Sequence, residues 1–416
     1  MFASAADWRE YAGSLVKALK KEAGQSRAAA KEARRLTASA KSAGAKLTAI
    51  RDFMALRVRE TEPGLTDMPL DRVSPADRTL GDGYGNTTDR AVLFYAMLDA
   101  AGFSPEFVLA SQIPAIDSLG ARLRASPAAS VFSRVLVRVR ERAGAEAAEP
   151  WIYLNDTDQY AALGATRHAG KFGLFLPSGD LGEILPARPD IADTRYRIEI
   201  DPKGDVKLAK RQWVQGNEFG AENKRFAEMT PEERRRYHQE MIALVSQGAE
   251  ADGELKTDFS GYPGVIEFAV RIPRFAASDG WFLYFLFPEF LENVLDMKAD
   301  TRTNPLLFAN RREKKVRLEI VAPPGFQPAY LPPDIHLRDA AGAGIAVSAH
   351  VSAESRKEGL TVVAEATAWM APAVAPAARY RELLDLDEAL SRKHARTVLL
   401  RVERPAPAST NAPAGP

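Results

Sequence analysis

Apolar positions recur with two periods along this chain, and the change between them divides it. From Trp8 to Glu60 the pattern is helical: Ala, Lys, Arg, Leu and Glu dominate, and no proline occurs before Pro63. Gly24 and Gly44 are the expected breaks. Leu47, Ile50, Phe53 and Met54 share one face, so the last of these helices should pack inward. Residues 61–80 carry Glu-Pro-Gly, Met-Pro and Ser-Pro and read as a loop. The segment Ala91-Val-Leu-Phe-Tyr-Ala-Met-Leu98 is apolar nearly all round, which predicts a buried helix. Asn86, Thr87 and Thr88 supply its N-cap, Asp89 complements the dipole in its first turn, and Gly102 is its stop.

Beyond Gly102 the period shortens toward two. Phe103–Ala110 reads as a strand, and a crossover over 112–129 carries a short helix around Leu119–Leu123. Val131, Val135, Val137 and Val139 then share one face of a second strand, with Arg134, Arg138 and Arg140 opposite. Residues 143–148 read as a hairpin loop from which Trp151–Leu154 pairs back. Helices followed by an antiparallel sheet predict an α+β first domain. Leu185-Pro-Ala-Arg-Pro189 marks its end. The rest is mostly short alternating strands: 196–200 and 206–214 around an Asp201-Pro-Lys-Gly204 turn, then 265–272, 281–287, 315–321, 345–354 and 359–368. That spacing predicts a β-sandwich. Two helices interrupt it, one opening at Thr230-Pro-Glu-Glu233 and running to about Ser246, the other over 379–390. The expected division is 1–60 N-terminal helices, 61–185 core, 190–403 β-rich domain and 404–416 a disordered Pro/Ala/Ser/Thr/Asn tail.

Composition narrows the chemistry. The chain has 416 residues, 46% hydrophobic and 27% charged, with a net charge of +1, which asks for no nucleic acid. It has no cysteine, so disulfides, thiolate metal sites and cysteine nucleophiles are excluded. The five histidines, at 168, 238, 336, 350 and 394, show no zinc-site spacing, and no metal or cofactor is expected. His168 reads as an ordinary loop residue. Ten Lys/Arg against three Glu between Arg9 and Lys46 read as a solvated helix face, because no aromatics interleave. No apolar run is long enough to span a membrane.

Three motifs bear a resemblance. Gly85-Asn-Thr-Thr-Asp-Arg-Ala91, Phe132-Ser-Arg-Val135 and Tyr153-Leu-Asn-Asp-Thr157 occur in the order of the bacterial transglutaminase-like proteins of the papain-like thiol superfamily. There the helix opens Gly-x-Cys-x-Asp-x-Ala, and later strands carry Asn-His-Val and Leu-Asp-Pro-Thr. The resemblance covers about 8–185. Residues 190–403, with Met229-Thr-Pro-Glu-Glu233, Asp258-Phe-Ser-Gly-Tyr-Pro263 and Arg302-Thr-Asn-Pro305, resemble the β-rich module of unknown function that often follows this core. The resemblance implies a cysteine nucleophile, a histidine base and an orienting aspartate. Here those positions hold Thr87, Arg134 and Asn155. A threonine hydroxyl needs a base, and a guanidinium stays protonated, so acyl transfer is expected to be absent.

What remains is a pseudo-transglutaminase that binds or scaffolds, with a peptide, protein or glycan in the former cleft. Tyr84, Asn86, Thr87, Asp89, Arg134, Trp151, Asn155, Asp156 and Asp158 are the candidate ligand residues. Arg134 beside a helix N-terminus fits an anion, or else it pairs with Asp89 or Asp156. The alternative is a hydrolase or acyltransferase with a rebuilt acid/base site at Asp89, Asp156 and Asp158, the last two sharing a face if the strand continues. A third possibility puts binding on the β-rich half at Trp281 or Trp369, although both contexts favour burial. The module that usually precedes such a core and a secretion signal are both expected to be missing. The compartment is therefore open: periplasmic or exported if this is a piece of a longer product, cytoplasmic if it is whole. Oligomeric state is open too.

Overall fold

The computed structural model describes residues 7–64, 68–141, 149–288, 290–291, 294–295, 297, 301–338, 344–356 and 359–402. The expected hairpin loop at 143–148 and the expected tail at 404–416 lie outside them. Among the described residues the chain is α+β, with nine α-helices and several sheets, and it is largely β in its C-terminal half.

Three helices open the chain: α1 (Trp8–Ala23), α2 (Arg27–Thr37) and α3 (Ala43–Arg57). The second break falls earlier than Gly44, because the Ser42 side chain accepts the Ala45 N–H and caps α3 there. Gly44 thus sits in a first turn, where its missing side chain costs little. The two-residue strand β1 (Arg59–Glu60) follows. The segment expected to be loop contains α4 (Ala76–Asp82), whose Ala76 and Thr79 are buried. Asp77 in α4 accepts the N–H groups of Ala28 and Ala29, capping α2 from outside. Strand β2 (Tyr84–Gly85) lies parallel to β1 and leads into α5 (Thr87–Ala100), whose Val92, Leu93, Met97 and Leu98 are fully buried.

The first sheet comprises β3 (Glu106–Pro114), β4 (Phe132–Val139), β5 (Ile152–Leu154), β6 (Lys171–Phe175) and β7 (Asp180–Glu183), and α6 (Asp117–Ala125) lies in the β3–β4 crossover. Its antiparallel order is β5-β4-β3-β6-β7. Val135, Val137 and Val139, which share a face, pack with α1, α3 and α5 in one core.

Among the described residues, the C-terminal half holds a nine-stranded sheet, a four-stranded antiparallel one and a two-stranded one. The nine-stranded sheet is antiparallel except where Ile191–Ile200 runs parallel to Arg312–Val321. Buried residues of the two larger sheets, such as Ile198 and Leu318 from the first and Leu283 and Leu400 from the second, belong to one core. Helices α7 (Gly216–Glu228), α8 (Pro231–Val245) and α9 (Tyr380–Ser391) supplement them. The α8 start carries the capping box of Thr230 and Glu233. Trp281, expected to be buried, is 58% exposed. Among the described residues no helix is long and apolar enough to cross a membrane.

Candidate functional site

The N-terminus of α5 is built by its own first turn. The Asn86 side chain accepts the N–H groups of Thr88 and Asp89 at 2.9 and 3.0 Å. One Asp89 oxygen accepts from the Asn86 N–H and the other from the Ser74 N–H at 2.7 Å. Asp89 is thus consumed by a capping box and a loop tie. Gly85 is required here, since a β-carbon on it would stand 2.9 Å from both Asp89 Cβ and Thr79 Cγ2.

Thr87 is buried beneath the preceding loop. A β-carbon placed on Gly64 would lie 3.8 Å from its hydroxyl oxygen and 4.0 Å from the Ser133 carbonyl oxygen. The Thr87 and Thr88 hydroxyls are buried without a partner among the described residues. The hydroxyl at the end of the helix therefore does not face an open cleft.

Asn155 bolts the two halves of the site together. Its backbone is left-handed (φ 85°), a conformation that Asn tolerates better than most residues. Its carboxamide nitrogen donates to the carbonyls of Thr87 at 2.7 Å and Val135 at 2.8 Å, joining α5 to β4. Its oxygen accepts from Arg90 Nε at 3.3 Å. A carboxylate here would face two carbonyl oxygens with no proton to give.

Arg134 and Arg90 converge on Glu60. Arg134 grips the Glu60 carboxylate in a bidentate fork and donates to the Asn155 carbonyl at 2.6 Å. The sequence leaves Arg134 either to an anion at the helix end or to an ion pair with Asp89 or Asp156. The structure pairs it with Glu60, because β1 lies beside β2 and brings that carboxylate to the edge of the site. Arg90 is buried, donates to the Val58 carbonyl and stands 3.9 Å from Glu60. Burial pushes its guanidinium below the usual value; Glu60 opposes this and Arg134 adds to it.

Asp156 and Asp158 do not act as a pair. Asp156 is buried and turned toward the 166–168 loop, where one oxygen accepts from the Thr166 hydroxyl, the Arg167 N–H at 2.8 Å and the His168 ring at 3.3 Å. His168 is itself 3% exposed, and its other ring nitrogen meets the Gln112 amide at 3.3 Å. Asp158 accepts the Tyr160 N–H at 3.1 Å in a turn. The positive φ at Asn155 ends the strand before the alternation reaches them.

Above Asn155 lies a polar groove of about 460 Å³. Arg134, Asn155, Asp156 and Asp158 line it, together with Glu60, Arg57, Arg59, Arg90 and Arg167. Asn86, Thr87, Asp89, Tyr84 and Trp151 are outside its lining. Tyr84 is exposed, and Trp151 is held between the Arg138 and Arg140 guanidiniums at 4.0 and 4.4 Å from its ring centre. The groove's carboxylates are all engaged within the chain. The side chains of Arg57, Arg59 and Arg167 are exposed and have no partner among the described residues. Those three arginines and Glu60 escaped the sequence reading, because they come from separate segments and form no motif. Their one signal is the spacing Arg57-x-Arg59-Glu60 at the end of a helix.

No family model matches the chain, and no curated protein matches it. The chain is similar to the solved structure of a candidate protease from Parabacteroides distasonis. The superposition covers 96% of this chain and 59% of that one, at a TM-score of 0.52 and 14% sequence identity. The chain thus spans less than two thirds of that neighbour. The likeness is one of fold alone.

Proposed function

We propose that the chain is a transglutaminase-like protein that has lost acyl transfer and uses the arginine groove to bind a carboxylate ligand. The observation that carries this reading is the division of labour around the groove. Thr87, Arg134 and Asn155 are spent on burial, an internal ion pair and a backbone bolt, while the side chains of Arg57, Arg59 and Arg167 have no partner among the described residues. Guanidiniums converging on a concave polar surface are suited to carboxylates, which they meet through paired N–H donors.

The test is calorimetric titration of the pure protein with N-acetyl-aspartyl-glutamate. A saturable isotherm is expected, weakened about tenfold by Arg59→Ala, a loss of ~1.4 kcal/mol. Heats that never saturate, or an unchanged affinity in Arg59→Ala, would sink the idea.

A second reading keeps an enzyme with a rebuilt acid/base pair, and the Asp156–His168 contact favours it. Both ring nitrogens of His168 are engaged and the pair is buried, so reagents would need the 166–168 loop to open. Under that reading Asp156→Asn abolishes a hydrolytic activity that Thr87→Ala spares.

A further inference from the structure

We infer that the arginine groove is one end of a longer site, joined at Arg167 to a second cavity, and that the two together take an extended peptide with an acidic stretch followed by an apolar one. This rests on the carboxylate reading above and names the ligand class for it.

The second cavity, of about 530 Å³, lies where the first half meets the larger sheet of the second. Arg167 lines both spaces, so they are neighbours across a single residue. The Arg167 backbone is pinned, because its N–H is donated to the buried Asp156, while its guanidinium is exposed. It can therefore serve ligand on either side without moving the chain that carries it.

The two ends differ in chemistry. The groove end offers Arg57, Arg59 and Arg167 to negative charge. The far cavity's lining sets Ile191, Val294, Ala368 and Met370 among charged residues of both signs, including Glu218, Glu313 and Lys314, and Arg312 in it is exposed. Its Arg311 is already tied to Glu183 at 3.1 Å, and its Asp190 accepts the Asn217 N–H at 2.6 Å. Arg312 has no side-chain partner among the described residues, and it is the far cavity's counterpart of Arg59.

Size argues in the same direction. A space of a few hundred Å³ holds a drug-sized molecule, so two adjoining ones exceed what a lone carboxylate needs. An extended peptide advances about 3.3 Å per residue, so a heptapeptide reaches roughly 23 Å, well beyond a single bound carboxylate. Charge complementarity places the acidic residues at the groove and the apolar ones over Met370.

The test is fluorescence anisotropy with a labelled peptide, acetyl-Asp-Glu-Asp-Gly-Leu-Met-Leu, set beside titration of the dipeptide N-acetyl-aspartyl-glutamate. Arg59→Ala is expected to weaken both ligands about tenfold. Arg312→Glu is expected to weaken the peptide about tenfold and leave the dipeptide unchanged. Both residues are exposed, and circular dichroism checks that the variants fold. If Arg312→Glu leaves the peptide untouched while Arg59→Ala weakens both ligands, the extended site is wrong and the carboxylate groove stands. A peptide whose leucines and methionine are replaced by serine should bind at least fivefold more weakly than the parent, on the order of 1 kcal/mol; equal binding also overturns the extension. If neither ligand binds the wild-type chain, the groove reading fails and this one fails with it.

Discussion

Asn155→Asp places an acid where the proposed resemblance to transglutaminase-like proteins would put one, yet it should damage the protein. The Asn155 side chain is 2% exposed and donates two hydrogen bonds, to the carbonyls of Thr87 and Val135. A carboxylate has no proton for either. Each buried carbonyl left without a donor costs about 1–3 kcal/mol, so the two together cost about 4 kcal/mol. The contact with Arg90 becomes charge-assisted and returns about 1–2 kcal/mol. The net expectation is a loss of about 2–3 kcal/mol. The backbone term cancels, since Asp tolerates the positive φ as Asn does. Urea unfolding followed by tryptophan fluorescence measures this, and Trp8, packed edge-on against Phe132, reports on the core beneath the site. Asn155→Gly is the control, because it keeps the backbone and removes the donors without adding charge. An Asn155→Asp midpoint equal to wild type, or higher, would refute the view that this carboxamide is the bolt between α5 and β4.

Three further outcomes are expected. Thr87→Cys creates the chain's single thiol; because Thr87 is buried under Gly64, alkylation of the native protein should be at least tenfold slower than in urea, and equal rates would mean that the helix end is open. Glu60→Gln removes the internal carboxylate from Arg134, so a carboxylate ligand should bind a few-fold more tightly, by about 1 kcal/mol, whereas unchanged or weaker binding would mean that the freed Arg134 does not meet the ligand. Glu222 is buried with one oxygen unpartnered, and burial raises its carboxyl above the ordinary 4.5 against the opposing pull of Arg225. An acid with a raised folded value weakens the fold above its unfolded value, and the effect is absent below it. Glu222→Gln should therefore gain thermal midpoint relative to wild type on going from pH 4 to pH 7, and a gap that shrinks over that range would contradict the assignment.

Much of the fold is legible in the chain because its signals are local. Period-two alternation locates Val206–Val214 residue for residue, and the Thr230/Glu233 capping box locates the start of α8. Two helices escape. Pro75, the N-cap residue of α4, reads as part of a turn, and Gly216 and Gly220 dilute the pattern of α7. The site is less legible, because its geometry is made by distant segments. Glu60 reaches Arg134 across 74 positions, and Asn155 reaches Thr87 across 68. No spacing rule connects such pairs. The positive φ at Asn155, which ends the strand before Asp156 and Asp158, also has no mark in the sequence beyond the residue's tolerance for it.

The proposal that this chain carries out no acyl transfer is tested most directly by incubating the pure protein with a glutamine-bearing peptide and a fluorescent amine, and measuring incorporation against a protein-free blank. With Thr87 buried beneath Gly64 and its hydroxyl without a partner among the described residues, incorporation should equal the blank. Turnover by the wild-type chain that disappears in Thr87→Ala would contradict it.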